Sequence, residues 1–472
     1  MKALFHRTGL MLVVMALVAL VGAVSAQEMM GPEVQVSDQV VLNGHVTVDY
    51  VFSEGPGFIV IHADNGSGSF GAVIGNRVLS PGANYNVSVP IDASAATSTV
   101  YAMLHVDSGE LGVYEFGTVE GADGPVVVDG APVSPGFAVA VINAQDQFVE
   151  ANSYTAASVT VDAPGWLVIH ADNDGGPGPV LGATQIAAGI NMDVTVELDE
   201  AGMTDILWPM LHVDTGVEGE YEFGTVEGAD GPVRINDTVA VSSVSTVPAV
   251  RMADQVVLHG DGMDMMMAPT ATAASVLSEG LGWLVIHSDN DGSPGPVAGF
   301  APVQAGLNTN VTIELDPEVA TPVLWPMLHV DTGVEGEYEF GTVEGADGPV
   351  RVNDAVLTFP INAAPSIVYD IHFDDDGTLI VSQAIIDAPG WLVIHADNGG
   401  SPGPVLGAAP LTPGVNTHIA ITLDGDVTDT LFPMLHYDTG EAGVYEFGTV
   451  DGADLPVSIG GNVVVGPATP MM

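Results

Sequence analysis

The chain carries the same three phrases four times, always in the same order. The first reads GFIVIHADN from Gly57, GWLVIHADN from Gly165, GWLVIHSDN from Gly282 and GWLVIHADN from Gly390. The second reads AMLHVDSG from Ala102, PMLHVDTG from Pro209 and Pro326, and PMLHYDTG from Pro433. YEFGTVEGAD, or YEFGTVDGAD, then follows from Tyr114, Tyr221, Tyr338 and Tyr445. Self-similarity at a fixed period means one folding unit used repeatedly. The histidines of the first phrase are 108, 117 and 108 residues apart, a span that suits a small independent domain. The sequence delimits these units at 34–133, 137–241, 250–357 and 361–465. The extra residues of the third unit lie around HGDGMDMMMAP, which begins at His259.

Within the second unit, Val, Ile and Thr dominate apolar runs separated by turn chemistry such as DAPG, DNDGGPGP and EGADGP. The pattern predicts strands over 138–143, 154–162, 166–171, 192–198, 206–213, 220–225 and 233–241. Helical periodicity of useful length is absent. Seven short strands in such a span predict an all-β chain, a tandem array of four immunoglobulin-like β-sandwich domains. Residues 207–237 and 324–354 differ only at Ile235 and Val352, so the repeats multiplied within this chain.

Residues 1–26 read as a signal peptide: Lys2 and Arg7 precede an apolar stretch, and Val24-Ser25-Ala26 suits cleavage before Gln27. The protein is therefore expected to be secreted or held at the cell surface, extracytoplasmic and without membrane insertion after cleavage. The absence of cysteine removes disulfides, thiolate metal sites, blue copper and cysteine nucleophiles. Beyond residue 26, 60 acidic residues face only Arg77, Arg234, Arg251 and Arg351. Such a field repels nucleic acid and anionic lipid and attracts cations. It suits a surface adapted to salt, or carboxylate sites for divalent cations.

Alternation along a strand places Trp166, Val168, His170 and Asp172 on one side and Leu167, Ile169 and Ala171 on the other. Met210, His212 and Asp214 likewise share a side. Were these strands neighbours, each unit would present two histidines and two aspartates, a candidate set for a divalent cation such as zinc or copper. The sets are His62, Asp64, His105 and Asp107; His170, Asp172, His212 and Asp214; His287, Asp289, His329 and Asp331; and His395, Asp397, His436 and Asp438. The competing expectation is that each histidine is half-buried, bonds a loop carbonyl or a carboxylate, and fixes the turn that follows. The histidines of a set stand 41 to 43 residues apart, unlike a local zinc motif.

Acid-rich turns at DNDGG from Asp172, DNDGS from Asp289, DDDG from Asp374 and DTGVEGE from Asp214 are candidates for calcium, though none follows the helix-flanked calcium loop. Met263, Met265, Met266 and Met267, near His259, offer thioethers to copper(I), or cover a domain contact. Trp166, Trp283 and Trp391 would suit sugar stacking if exposed, and packing if buried. Tyr221 and Phe223 alternate with Glu220 and Glu222, as on a half-buried strand with its aromatics inward. No nucleophile elbow, phosphate-binding loop or HExxH is present, and no cofactor is required.

The ordered motifs Gly165–His170, Met210–Thr215, Tyr221–Phe223 and Asp230–Pro232, with equivalents in every unit, resemble an uncharacterised family of secreted repeat domains found in haloarchaeal and Chloroflexota exported or surface proteins. Leu455 replaces the glycine of the last motif in the fourth unit. The resemblance implies an extracytoplasmic repeat protein and no activity. The expected role is non-enzymatic: structural, adhesive or spacer at the cell envelope, with an unknown envelope partner or homotypic association. The alternative is a divalent-cation-binding protein; a third reading is a hydrolase or sugar-binding module.

Overall fold

The computed structural model describes residues 31–262, 269–374 and 377–471. The expected signal peptide, residues 1–26, and Met263, Met265, Met266 and Met267 lie outside them. Among the described residues the chain is all-β, with one short 3-10 turn at Glu200–Gly202.

Repeat two shows the pattern. Its strands are β1 (Gly136–Asn143), β2 (Ser153–Val161), β3 (Gly165–Asp172), β4 (Pro177–Ile186), β5 (Gly189–Glu197), β6 (Ile206–Val213), β7 (Arg234–Ile235), β8 (Thr238–Val239) and β9 (Val244–Ser245). One sheet has the order β1-β2-β5 and the other β4-β3-β6-β9, while β7 and β8 form a small separate hairpin. Because strand side chains alternate, Leu167, Ile169, Ala171, Leu207 and Leu211 all point inward and meet Tyr154, Ala156, Val194 and Val196 from the facing sheet. Each fully buried aliphatic side chain contributes about 1.5–3 kcal/mol. Four such cores, one per repeat, give four immunoglobulin-like sandwiches.

The sequence pattern misses β4 and misplaces a strand at 220–225. The Gly- and Pro-rich sequence of β4 reads as a turn, yet it pairs along β3 with register shifts at His170. Gly182 is there because of close approach, since a Cβ on it would strike the carbonyl oxygen of Glu197. In the same way a Cβ on Gly165 would strike the carbonyl of His212, which explains the glycine that opens every GW or GF phrase. Residues 220–225 form turns instead of a strand, because the Glu222 amide bonds a carboxylate described below and those of Glu220 and Thr225 bond turn carbonyls.

The repeats are joined through strands. The start of β1 pairs with Thr99–Tyr101 of repeat one, and its end pairs with β2. Its middle also runs parallel to Gln39–Val41. The connection to repeat three leaves through β9, which pairs with β6, and the connection to repeat four leaves through Ile361–Asn362, paired with Val323–Leu324. One aspartate near the start of each of the first three repeats caps the exit strand. Asp38 accepts from the amide of Ala138, Asp146 from Ser245 and Asp254 from Asn362, each at 2.7 Å. Buried Asp146 also holds Arg251 of repeat three through two bonds of 2.7 and 2.8 Å.

Repeats one and four also touch. Arg77 donates to the carbonyl of Pro413 and Asn86 to that of His418, both at 2.6 Å. The array thereby closes on itself, an arrangement unlike an extended spacer.

Replacing Gly182 by Ala should lower the stability of repeat two by about 1–3 kcal/mol, the usual cost of overpacking. Gly231→Ala, where a Cβ would meet nothing within 4 Å, should cost far less. Calorimetric melts of the two variants of the full chain check this, and equal effects would contradict the close-approach account.

Candidate functional site: a histidine pair beneath a carboxylate-tied loop

The outer face of the β3–β6 pair is buried as well as the inner one. Trp166, Val168 and His170 on β3 and Met210 and His212 on β6 are all 8% exposed or less. The cover is the segment 214–233, which leaves β6 and folds back across the sheet. The Phe223 ring stands edge-on to His212 at 4.7 Å between centroids, and Tyr221 lies 5.3 Å from Trp166. A loop of this length without strands needs internal ties.

Carboxylates supply those ties. Asp230 is fully buried in a left-handed conformation, φ 50°, and accepts from the amides of Thr215 at 2.8 Å and Glu222 at 2.6 Å. The Thr215 hydroxyl in turn accepts from the amide of Asp230 at 2.9 Å. The Glu222 carboxylate bends back to the amide of Val217 at 2.7 Å. Asp123, Asp347 and Asp454 bond their loops in the same way. Within EGADGP, Asp230 reads from sequence as an ordinary turn residue. The available signal was its constant fifteen-residue interval from Ser108, Thr215, Thr332 or Thr439.

The two histidines of each repeat do come together. β3 and β6 are antiparallel neighbours with Trp166 opposite His212 and His170 opposite Trp208, so the histidines meet diagonally across Val168 and Met210. Their ring centroids are 5.6 Å apart at 33° between planes. The pairs His62–His105, His287–His329 and His395–His436 have separations of 6.0, 5.7 and 6.0 Å. In every histidine Nδ1 faces a backbone carbonyl, so it must carry the proton and donate. His170 donates to Gly178 at 2.8 Å and His212 to Asp230 at 2.6 Å. His62, His287 and His395 donate to Gly71, Gly295 and Gly403, and His105, His329 and His436 to Asp123, Asp347 and Asp454. Nε2 is then a bare lone pair. Burial lowers the pKa of His105, His170 and His287, and lowers those of His212, His329 and His436 to about 4.

The aspartates do not join them, and the expected sets of two histidines and two aspartates are not assembled. Asp64 accepts from the Tyr101 hydroxyl and the amide of Gly66. Asp172 and Asp289 accept from the indoles of Trp208 and Trp325, both at 2.8 Å, and from turn amides. Asp397 accepts from the amide of Gly400. Asp107, Asp214, Asp331 and Asp438 accept from the amides of Gly112, Gly219, Gly336 and Gly443. Each carboxylate closes a turn beside the site, as short acidic side chains do readily. Among the described residues, no three His, Asp or Glu side chains form a group able to hold a metal ion.

The acidic turns offered to calcium at Asp172, Asp289 and Asp214 are likewise bonded to their own backbone; Asp375 and Asp376 of the DDDG turn lie outside the described residues. Trp166, Trp283 and Trp391 are buried and offer no sugar platform. Tyr221 is half-buried but Phe223 is 36% exposed, and neither lies on a strand. His259 stands 3.3 Å from Asp387 of repeat four, at a contact between repeats.

Asp230→Ala should cost about 1–3 kcal/mol by orphaning buried amides. Hydrogen exchange at Thr215 and Glu222 should accelerate, and unchanged exchange there would remove Asp230 from its organising role. A second expectation concerns pH. A histidine whose folded pKa is about 4, against 6.5 unfolded, takes up its proton only on unfolding between these values. The stability this contributes is complete above about pH 6.5 and falls as pH drops toward 4. Imidazole NMR of the folded protein should show His212, His329 and His436 as Nδ1–H tautomers that do not titrate between pH 8 and 5.5. Ordinary titration of these three near 6.5 would contradict it.

No curated protein sequence matches the chain. Among solved structures, native Escherichia coli alpha-2-macroglobulin matches 93% of this chain and 29% of its own length, at 11% identity and a TM-score of 0.18. That likeness is too low to carry an argument, and the chain spans under a third of that protein. A domain of unknown function, DUF7282, matches residues 32–139, 140–247, 262–362 and 366–470. With nearly the whole chain beyond its first residues covered by those four matches, the protein belongs to the DUF7282 family as four consecutive copies.

Proposed function

We propose that this chain is an exported, non-enzymatic structural or adhesive protein of the cell envelope. The observation that carries this reading is the way the repeats are joined. Every linker carries a strand that pairs with the preceding sandwich and is capped by an aspartate of that repeat, so four equivalent surfaces are held in fixed relation. Fixed multiple copies turn a weak contact into a strong one by raising effective concentration. The contact between repeats one and four favours a compact platform over a spacer.

Composition supports an exposed working environment. The formal charge of −54 keeps copies apart and disfavours anionic partners. Among the described residues no helix is long and apolar enough to cross a membrane. Partners are accordingly neutral or cationic surfaces, or further copies where salt screens the repulsion.

The test is fractionation of the producing cells with sequencing of the mature N-terminus. Export predicts chain in the envelope or medium beginning at Gln27. Uncleaved chain confined to the cytoplasm would overturn the reading.

A further inference from the structure

We infer that each repeat holds one soft monovalent metal ion, copper(I), between its two histidines and the methionine that separates them on the sheet. The four sites are His62, His105 and Met103; His170, His212 and Met210; His287, His329 and Met327; and His395, His436 and Met434.

The argument begins with an unmet chemical demand. All eight Nε2 atoms are buried, and six of them have no hydrogen-bond partner. The other two, on His212 and His436, meet sulfur: Met210 Sδ at 3.3 Å and Met434 Sδ at 3.2 Å. A buried nitrogen lone pair without a donor is costly, and here that cost recurs in every repeat. The backbone carbonyls that hold Nδ1–H fix the tautomer and aim of each ring, as the outer partners of metal-bound histidines do.

Geometry agrees. Met210 lies two residues from His212 on β6, opposite Val168, so its side chain leaves the sheet at the register position between the two histidines, and its sulfur meets His212 Nε2. Donors bonded to one ion at about 2.0–2.3 Å stand roughly 3.3–3.7 Å apart, and the ring centroids of two such histidines roughly 5–6 Å apart. The observed sulfur–nitrogen distances of 3.2 and 3.3 Å and centroid distances of 5.6–6.0 Å lie near those values. Met103, Met210, Met327 and Met434 are all buried.

Donor chemistry selects the ion. Two neutral imidazoles and a thioether carry no charge, and every nearby aspartate is turned toward backbone amides or an indole or phenol. Burying a divalent ion among neutral ligands and aromatic rings costs far more than burying a monovalent one. Thioether sulfur favours copper(I), and the face or edge of Phe223 closes the remaining side without offering oxygen. Calcium and magnesium want six or more oxygens, and among the described residues no three His, Asp or Glu side chains gather here to supply them.

The experiment is anaerobic titration of the mature full-length protein with copper(I) against a competing chelator, followed by X-ray absorption. The expected result is four tight equivalents per chain, each with two nitrogen and one sulfur neighbour. Met210→Leu conserves volume and should leave the melting curve in place while weakening one site about tenfold or more. His170→Gln should remove the same site. A triple Met265→Leu, Met266→Leu, Met267→Leu variant should keep all four. Fewer than one equivalent per repeat, binding that survives both repeat-two substitutions, or binding lost with the triple variant would overturn the inference. The export test is independent of all these outcomes.

Discussion

The interaction on which each repeat depends is the acceptance of backbone amides by one buried carboxylate, Asp230 in repeat two. Without it, segment 214–233 has no reason to lie across the sheet, and the outer face of β3 and β6 would be wet. With it, one sheet is buried on both faces, which is why GWLVIHAD is apolar at nearly every position where a half-exposed strand would alternate. The cost of holding a buried charge is met by several directed hydrogen bonds, and the left-handed φ at Asp230 is a conformation that aspartate tolerates better than most residues.

Much of this order was legible from residue patterns. Period-two alternation placed Leu167, Ile169 and Ala171 in the sandwich core and His170 beside His212, because strand geometry leaves side chains only two directions. What alternation cannot give is aim. Asp172 and Asp214 share the histidines' side of their strands, yet each carboxylate is short and reaches the nearest turn amide or indole first. Gly182 illustrates a second limit. Glycine in a turn and glycine under a crossing backbone look alike in sequence, so β4 is not legible without the Glu197 carbonyl that lies against Gly182. The strand expected at 220–225 failed for a related reason: its apolar alternation is real, but Glu222 and its neighbours are bonded within a loop rather than along a ladder.

The acid excess takes on a different meaning once the partners of individual carboxylates are known. Among the described residues, Arg251 with Asp146 is the arginine–carboxylate pair, while Arg77, Arg234 and Arg351 bond carbonyl oxygens. Lysine is absent after the first residues, so the chain neutralises turns and loop ends with backbone N–H groups. Such bonds are shorter-ranged than ion pairs and less sensitive to added salt than exposed charge pairs. They also fix the joints between repeats, where Asp38, Asp146 and Asp254 serve the same end as Asp230 within a repeat.

This division of labour decides what the interior can bind. Hard oxygen donors are plentiful in the sequence but are committed to the backbone at the turns around the histidine pair, so a hard divalent ion would have to break the loop's ties to gain ligands. The donors left uncommitted in every repeat are the Nε2 atoms, with the methionine sulfurs beside two of them; single oxygens of Asp107, Asp331 and Asp438 and the hydroxyls of Tyr338 and Tyr445 are also unpartnered, but not in all four repeats. A chain with a strongly anionic surface thus encloses neutral, soft pockets, and the same Asp230 carbonyl that sets the His212 tautomer belongs to the residue whose carboxylate closes the lid over it.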